Sequence, residues 1–398
     1  MNKKVLLRVS VLVLYVSLLV TLADTLSLAY FEVSFYYHKD SSILYYPLQW
    51  FAKLFGENDL VLRALMLLFH LASLYFYYVI SKQYLSKERD KLWNIIIFVL
   101  LPAIVSAAII VHPSGLILLL LLLFIYSYIK WEDKALVLLP AYLFIDISFF
   151  ILFLGMTLYF MMQKRWYLTA LMMLLVVGSV LIFGFIGKGS PINYFAHTLG
   201  VASLVFSPML FIYYLYTLIR VGFRGNKDLI WTLSATAFIL MTLLSIRQRI
   251  QIEHFAPYFI VLLPLMIKQF MHAYRMRVRS LRKNYKILFL IAILFLLINS
   301  LTVYLNKYMY YILDDPEDHF LYKHYVAKDL ASLLKEKGLT HLNVKDEYLR
   351  LRLKFYGINS ENAQHTLEEG SCRNVTLSYS GVKISSFCVT KHNNLENK

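Results

Sequence analysis

From residue 5 to residue 306 the chain alternates long apolar runs with short charged loops, and a polar tail follows. A membrane helix needs about 20 apolar residues, or fewer where neighbouring protein covers it. Runs that meet this fall at 5–22, 60–81, 92–111, 115–129, 135–147, 149–162, 167–187, 199–220, 229–246, 255–273 and 285–306, which predicts eleven spans. The fifth and sixth come from one apolar stretch, 135–162, that is long for one straight span and short for two. It is split at Asp146 because a charge in mid-run is costly in lipid. Between the first and second runs lies a loop of roughly 35 residues, Ala23 to Asn58, with carboxylates at Asp24, Glu32 and Asp40 and ten aromatics between Tyr30 and Phe55. It is too aromatic for a solvated linker and too polar for a span.

The tail, 307–398, reads as a small α+β domain after a transmembrane domain of 1–306. Val326, Leu330, Leu333 and Leu334 have helical spacing, and Gly338 ends that helix. HLNV reads as a strand, EYLRLRLKFYGI as a second helix, and VTLSYSGVKISSFCVTK as a hairpin turning at Ser380-Gly381. The two cysteines, Cys372 and Cys388, both lie here and form a candidate disulfide.

Composition agrees with the pattern. Hydrophobic residues make up 59% of 398 and charged residues 16%, with a mean hydropathy of +0.60. A soluble domain of this size has no way to hide so much apolar surface. The net charge of +16 would suit nucleic acid if it were gathered into a groove. It is instead spread over alternate short loops, which excludes nucleic acid as a partner and sets membrane orientation. With the N-terminus in the cytoplasm, cytoplasmic segments carry 21 Lys and Arg, and the opposite loops five: Lys39, Lys53, Lys188, Arg247 and Arg249. The first loop and the tail then both face outward, and a bacterial inner membrane places them in the periplasm. The first run has no small-residue cleavage site after it, so it is expected to stay as a helix.

Candidate chemistry collects on that outer face. Glu32 sits among Tyr30, Phe31 and Val33, a setting that raises a carboxyl pKa and suits a general base. Asp24 and Asp40 are the alternative acids, and the three together are a conceivable ligand set for a divalent metal. Arg63 lies one turn into the second span and needs an anionic partner or a route to the headgroups. Arg247, Arg249, Glu253 and His254 break the charge bias of their loop, and an anionic phosphate is the simplest reason. Asp146, an acid at the tip of the split run, is a functional candidate by default. His112 and Lys188 are further candidates on the same side. No internal repeat and no phosphate loop of the Walker type occurs.

The stretches YFE at 30–32, YYPLQWF at 45–51, LFGENDLVLR at 54–63 and RQRIQIEHFAPYFIVLLPLM at 247–266 resemble the GT-C class of polyprenyl-phosphate-dependent glycosyltransferases. The nearest likeness is to the family 39 group, which includes protein O-mannosyltransferases and the lipid A aminoarabinose transferase. The resemblance implies a GT-C-like fold and an inverting transfer, on the periplasmic face, of a sugar from a polyprenyl-phosphate donor to a lipid or envelope acceptor. Glu32 matches the second acid of the family's acidic motif, and Arg63 matches its phosphate-contacting arginine. Arg247, Arg249 and His254 match the later arginine-rich turn. Phe31 stands where the family has its first acid, and Tyr46-Pro47 where it has Lys-Pro-Pro. Two rival readings are a lipid-linked saccharide translocator, which would want charges or broken helices at mid-membrane, and an inactive assembly subunit of the same fold.

Overall fold

The computed structural model describes residues 3–40, 42–184, 193–305, 326–361, 363, 365–370, 375–379 and 382–391. The chain divides into two compact units. One comprises Met1–Leu65, Ile109–Val111 and Leu301–Lys398, and the other Met66–Ala108 and His112–Ser300.

The first unit begins with α1 (Lys3–Thr25). The loop that follows is not irregular. It holds two short helices, α2 (Tyr30–Tyr37) and α3 (Tyr45–Phe55). Gln49 on α3 donates to the carbonyl of Tyr36 at 2.8 Å, and the Tyr36 hydroxyl donates to Glu57 at 2.8 Å, which ties the two together. α4 (Asp59–Tyr84) then starts in this unit and continues into the second.

The second unit is helical throughout. α5 (Glu88–Leu100) and α6 (Pro102–Ile109) bend by 59° at Leu101, because the residue before a proline is pushed out of the helical region. α7 (Pro113–Trp131) runs on through a 3₁₀ turn, Glu132–Leu138, into α8 (Leu139–Tyr142). α9 (Phe149–Met162), α10 (Trp166–Phe183), α11 (Phe195–Phe206) and α12 (Pro208–Arg224) follow. α11 and α12 meet at 107°, again at a proline, with Ser207 in the left-handed region at φ 72°. α13 (Leu229–Ser245), α14 (Ala256–Ile260), α15 (Leu263–Met276) and α16 (Arg279–Tyr304) complete the order, with the last turn of α16 belonging to the first unit.

Packing in this unit is close where side chains are small. A Cβ on Gly155 of α9 would fall 2.7 Å from the end of the Leu233 side chain of α13, so any larger residue there requires Leu233 to move. Two buried polar contacts join helices of this unit. The Tyr77 hydroxyl donates to Asn94 at 2.7 Å, and Arg275 of α15 is ion-paired with buried Asp90 of α5.

Eleven separate spans are not what these helices form. Among the described residues, five are long and apolar enough to cross a membrane, or eight if each bent pair is one span, with Phe149–Met162 and Leu229–Ser245 as shorter apolar helices. The expected fifth span, 135–147, is the end of the long element Pro113–Tyr142 and a turn at Asp146, not a helix of its own.

The tail adds α17 (Ala327–Glu336), β1 (Leu342–Val344), α18 (Glu347–Phe355), β2 (His365–Glu369), β3 (Val375–Tyr379) and β4 (Val382–Lys391). Gly338 ends the first tail helix at φ 71°, in the left-handed region that favours glycine. The sheet order is β1-β2-β4-β3, with β1 parallel to β2 and the other pairs antiparallel. The predicted hairpin is β3–β4, and its Ser380-Gly381 turn lies outside the described residues. Cys388 is disulfide-bonded, while Cys372 lies outside the described residues.

Candidate functional site

The last carbonyls of a helix lack intrahelical donors. At the end of α1 they are met by Arg63. Its guanidinium donates to the carbonyls of Ala23, Leu26 (2.6 Å) and Ser27 (3.0 Å). Arg63 is 2% exposed and stands 3.7 Å from the Glu32 carboxylate. Glu32 is 1% exposed. One of its oxygens accepts the Ala29 N–H at the start of α2 (2.7 Å), and the other accepts the Val111 N–H (2.8 Å). Glu32 and Arg63, expected separately as a base and a phosphate contact, instead meet as an ion pair that clamps the first loop. Neither the fork of Arg63 nor the carboxylate of Glu32 is presented to a ligand.

The tail helices finish the same clamp. Arg352 of α18 donates to the Leu28 carbonyl (2.8 Å) and to the Ser27 hydroxyl (3.0 Å). The Tyr356 hydroxyl accepts the Leu28 N–H (2.9 Å) and points at Asp59 (3.4 Å). Lys328 of α17 pairs with Asp24 (3.1 Å) and with buried Asp59 (3.0 Å). Burial alone would pull the Lys328 pKa down, but the two carboxylates outweigh it and hold it above the usual lysine range. Burial, with Asp59 second, pushes the Tyr356 hydroxyl up. Asp24 keeps 60% of its side chain exposed, and Asp40 lies exposed in the turn after α2. Asp24, Glu32 and Asp40 are not gathered into a metal site. Among the described residues no group of three or more His, Cys, Asp or Glu is placed to hold an ion.

A second cluster lies in the other unit, and it joins residues about a hundred positions apart. Asp146 closes a tight turn before α9, accepting the Ser148 N–H (2.8 Å) and hydroxyl (2.6 Å). The Ser148 hydroxyl is 2.5 Å from His254 Nδ1, and Asp146 is 3.5 Å from the same nitrogen. His254 Nε2 faces the Gln251 side-chain oxygen at 3.0 Å. Tyr258 locks the turn by donating to the Ser148 carbonyl (2.7 Å). Serine and carboxylate approach one ring nitrogen, whereas a nucleophilic triad needs them on opposite nitrogens, so this is not a hydrolytic relay. Of this cluster, Ser148 and His254 line a cavity of about 410 Å³ together with Gln248, Arg249 and Gln251, over apolar Ile151, Phe183 and Phe255. Arg249 is exposed there. An exposed arginine, an imidazole and two amides around an open cavity form a recognition set for an anion.

Burial would raise the Asp146 pKa, but hydrogen bonds from His254 and Ser148 outweigh it and the net shift is downward from 3.8. The sign follows. A carboxyl whose folded pKa is depressed stabilises the fold above its unfolded value and loses that contribution as pH falls through the folded one. Unfolding temperature measured against pH is expected to drop at the acid end in the wild type, and Asp146→Asn is expected to flatten that limb. An unchanged acid limb in the variant would remove Asp146 from the cluster's energetics.

The other predicted residues scatter. Arg247 is exposed and does not line the cavity. His112 caps α7, accepting the Ser114 N–H at 3.2 Å. Lys188 lies outside the described residues. Reading the sequence missed Ser148, Gln251, Asp59, Lys328, Arg352 and Tyr356. Ser148 had a local signal in the Asp-Ile-Ser turn, but the tail residues had none, because their partners are some 300 positions away. No family model, curated protein or solved structure matches the chain.

Proposed function

We propose that the protein is a membrane glycosyltransferase of the polyprenyl-phosphate-dependent kind, moving a sugar to a lipid or envelope acceptor on the periplasmic face. The observation that carries this reading is the cavity where Arg249, His254 and Ser148 converge beside Asp146. In the reaction the bond from the sugar's anomeric carbon to the phosphate oxygen breaks, and the acceptor oxygen bonds to that carbon from the opposite face. The acceptor proton passes to a carboxylate, and polyprenyl phosphate leaves with the charge it gains. Arg249 and His254 hold that phosphate and compensate its charge. Both Glu32 oxygens already accept backbone N–H groups, which leaves Asp24 and Asp40 as the accessible acids of the first loop. α3 suits work beside a lipid substrate. Tyr46, Trp50 and Leu54 expose an apolar stripe at four-residue spacing while Leu48 and Ala52 face inward, the pattern of a helix lying in a membrane interface.

The three bent pairs, α1/α2 at 93°, α5/α6 and α11/α12, favour a second reading, a lipid-linked saccharide translocator, since transporters use broken helices at their binding sites. At α1/α2 the nearby acid Glu32 is already paired with Arg63, which leaves the two proline breaks. Both breaks, Leu101-Pro102 and Ser207-Pro208, lack an ionisable residue, which weighs against a site there.

Proteoliposomes carrying the protein, a panel of radiolabelled polyprenyl-phosphate sugars and envelope extract as acceptor separate the readings. Wild type is expected to transfer label. Either Asp24→Asn or Asp40→Asn is expected to cut the rate by about 10²–10⁴, the usual loss for a general base. Labelled lipid that crosses the bilayer without transfer would favour the translocator. Neither event would leave the assembly subunit.

A further inference from the structure

A second cavity of the helical unit, about 400 Å³, opens between α12, α15 and α16. This volume falls within the roughly 300–1,000 Å³ of small-molecule sites. Its walls are apolar, with Leu210, Leu263, Ile267, Phe270, Phe289 and Ile293 among them, and its one charged lining residue is Arg220. Two arginine–tyrosine pairs mark a polar end. Arg220 donates to the Tyr216 hydroxyl at 2.7 Å, and Arg277 donates to the Tyr285 hydroxyl at 2.6 Å while its guanidinium sits 4.4 Å from that ring. Tyr216 and Tyr285 both line the cavity.

Three features decide the occupant. α16 is only 11% buried over its apolar window, and Leu288, Leu294 and Leu297 are exposed, so hydrocarbon surrounds this groove. The lining is made of side chains with few polar atoms, so it offers nothing to pair the backbone of an extended peptide in hydrocarbon. The sequence beside both arginines is strongly cationic. Arg224 and Lys227 follow Arg220, and Arg279, Arg282 and Lys283 follow Arg277, while Asp90, the nearby acid on α5, is already paired with Arg275.

We infer that this groove is a binding site for an anionic glycerophospholipid, with one acyl chain along the apolar wall and the phosphate between Arg220 and Arg277. The lipid fills the space between α16 and the bundle. It is separate from the cavity at Arg249 and stands whether or not the transferase reading does.

The test uses the full chain in detergent, given phosphatidylglycerol or phosphatidylcholine with identical acyl chains. Native mass spectrometry reads retained lipid, and the unfolding midpoint is measured alongside. Wild type is expected to retain one phosphatidylglycerol in preference to phosphatidylcholine and to unfold at a higher temperature with it. Arg220→Gln with Arg277→Gln is expected to weaken phosphatidylglycerol retention by about tenfold or more, from two lost cationic contacts, while leaving phosphatidylcholine unchanged. Ala292→Trp, which fills the groove and spares both arginines, is expected to reduce retention of either lipid. Equal retention of both lipids by wild type, or undiminished phosphatidylglycerol on the double arginine variant, would overturn the inference.

Discussion

Arg63→Ala is expected to destabilise the protein by about 3–5 kcal/mol, the usual result of removing one member of a buried ion pair. The Leu26 and Ser27 carbonyls just after α1 and the Ala23 carbonyl in its last turn lose the guanidinium, and buried Glu32 loses its counter-charge. Arg63→Lys should not restore stability, because one ammonium cannot span three carbonyls that a planar fork reaches together. Glu32→Gln should cost less, since its amide oxygen still accepts one of the two backbone N–H groups. Unfolding in detergent, followed by tryptophan fluorescence, would rank the variants. A stable Arg63→Ala protein that fails only to bind polyprenyl phosphate would return this arginine to the ligand-contacting role implied by the family resemblance.

Arg249→Ala is expected to lower transfer by about 10²–10³, the scale of losing one preorganised donor to a developing negative charge. Its unfolding temperature should stay near that of wild type, because the side chain is exposed and lines a cavity. His254→Ala should reduce both transfer and stability, since the ring touches Ser148 and Gln251 and pairs with Asp146. Arg247, exposed and off the cavity lining, is the internal control, and its alanine variant should transfer like wild type. Equal losses at Arg247 and Arg249 would mean that general surface charge matters and that the cavity does not hold the phosphate.

Much of the helical plan was legible because apolar runs in lipid have few alternatives to helix. The limits were local. Prolines at 102 and 208 bend helices that hydropathy joins into one span, and the 3₁₀ turn after Trp131 fuses what hydropathy separates. α2, at eight residues, is too short to show a period, and its start is fixed by Glu32 capping Ala29. β2 was missed because HTLEE has little strand character apart from its partners. The sequence also marked Arg63 as an arginine in need of acceptors, but not which ones. Charge pattern suggested a phosphate, and the acceptors turned out to be the chain's own carbonyls. Asp146 and His254 were each visible as costly polar residues near apolar runs. Their meeting was not visible, since nothing local links positions 108 apart.

The bonds around the first loop also impose an order on biosynthesis. Leu28 is satisfied by Tyr356 across 328 residues, while Glu32 waits 79 residues for Val111. At about 5–20 residues per second, the ribosome delivers Tyr356 roughly 15–65 seconds after Leu28. The segment made almost first is therefore closed almost last. A nascent chain halted before Arg352 exposes the Leu28 carbonyl, the Ser27 hydroxyl and the Leu28 amide that the finished chain seals.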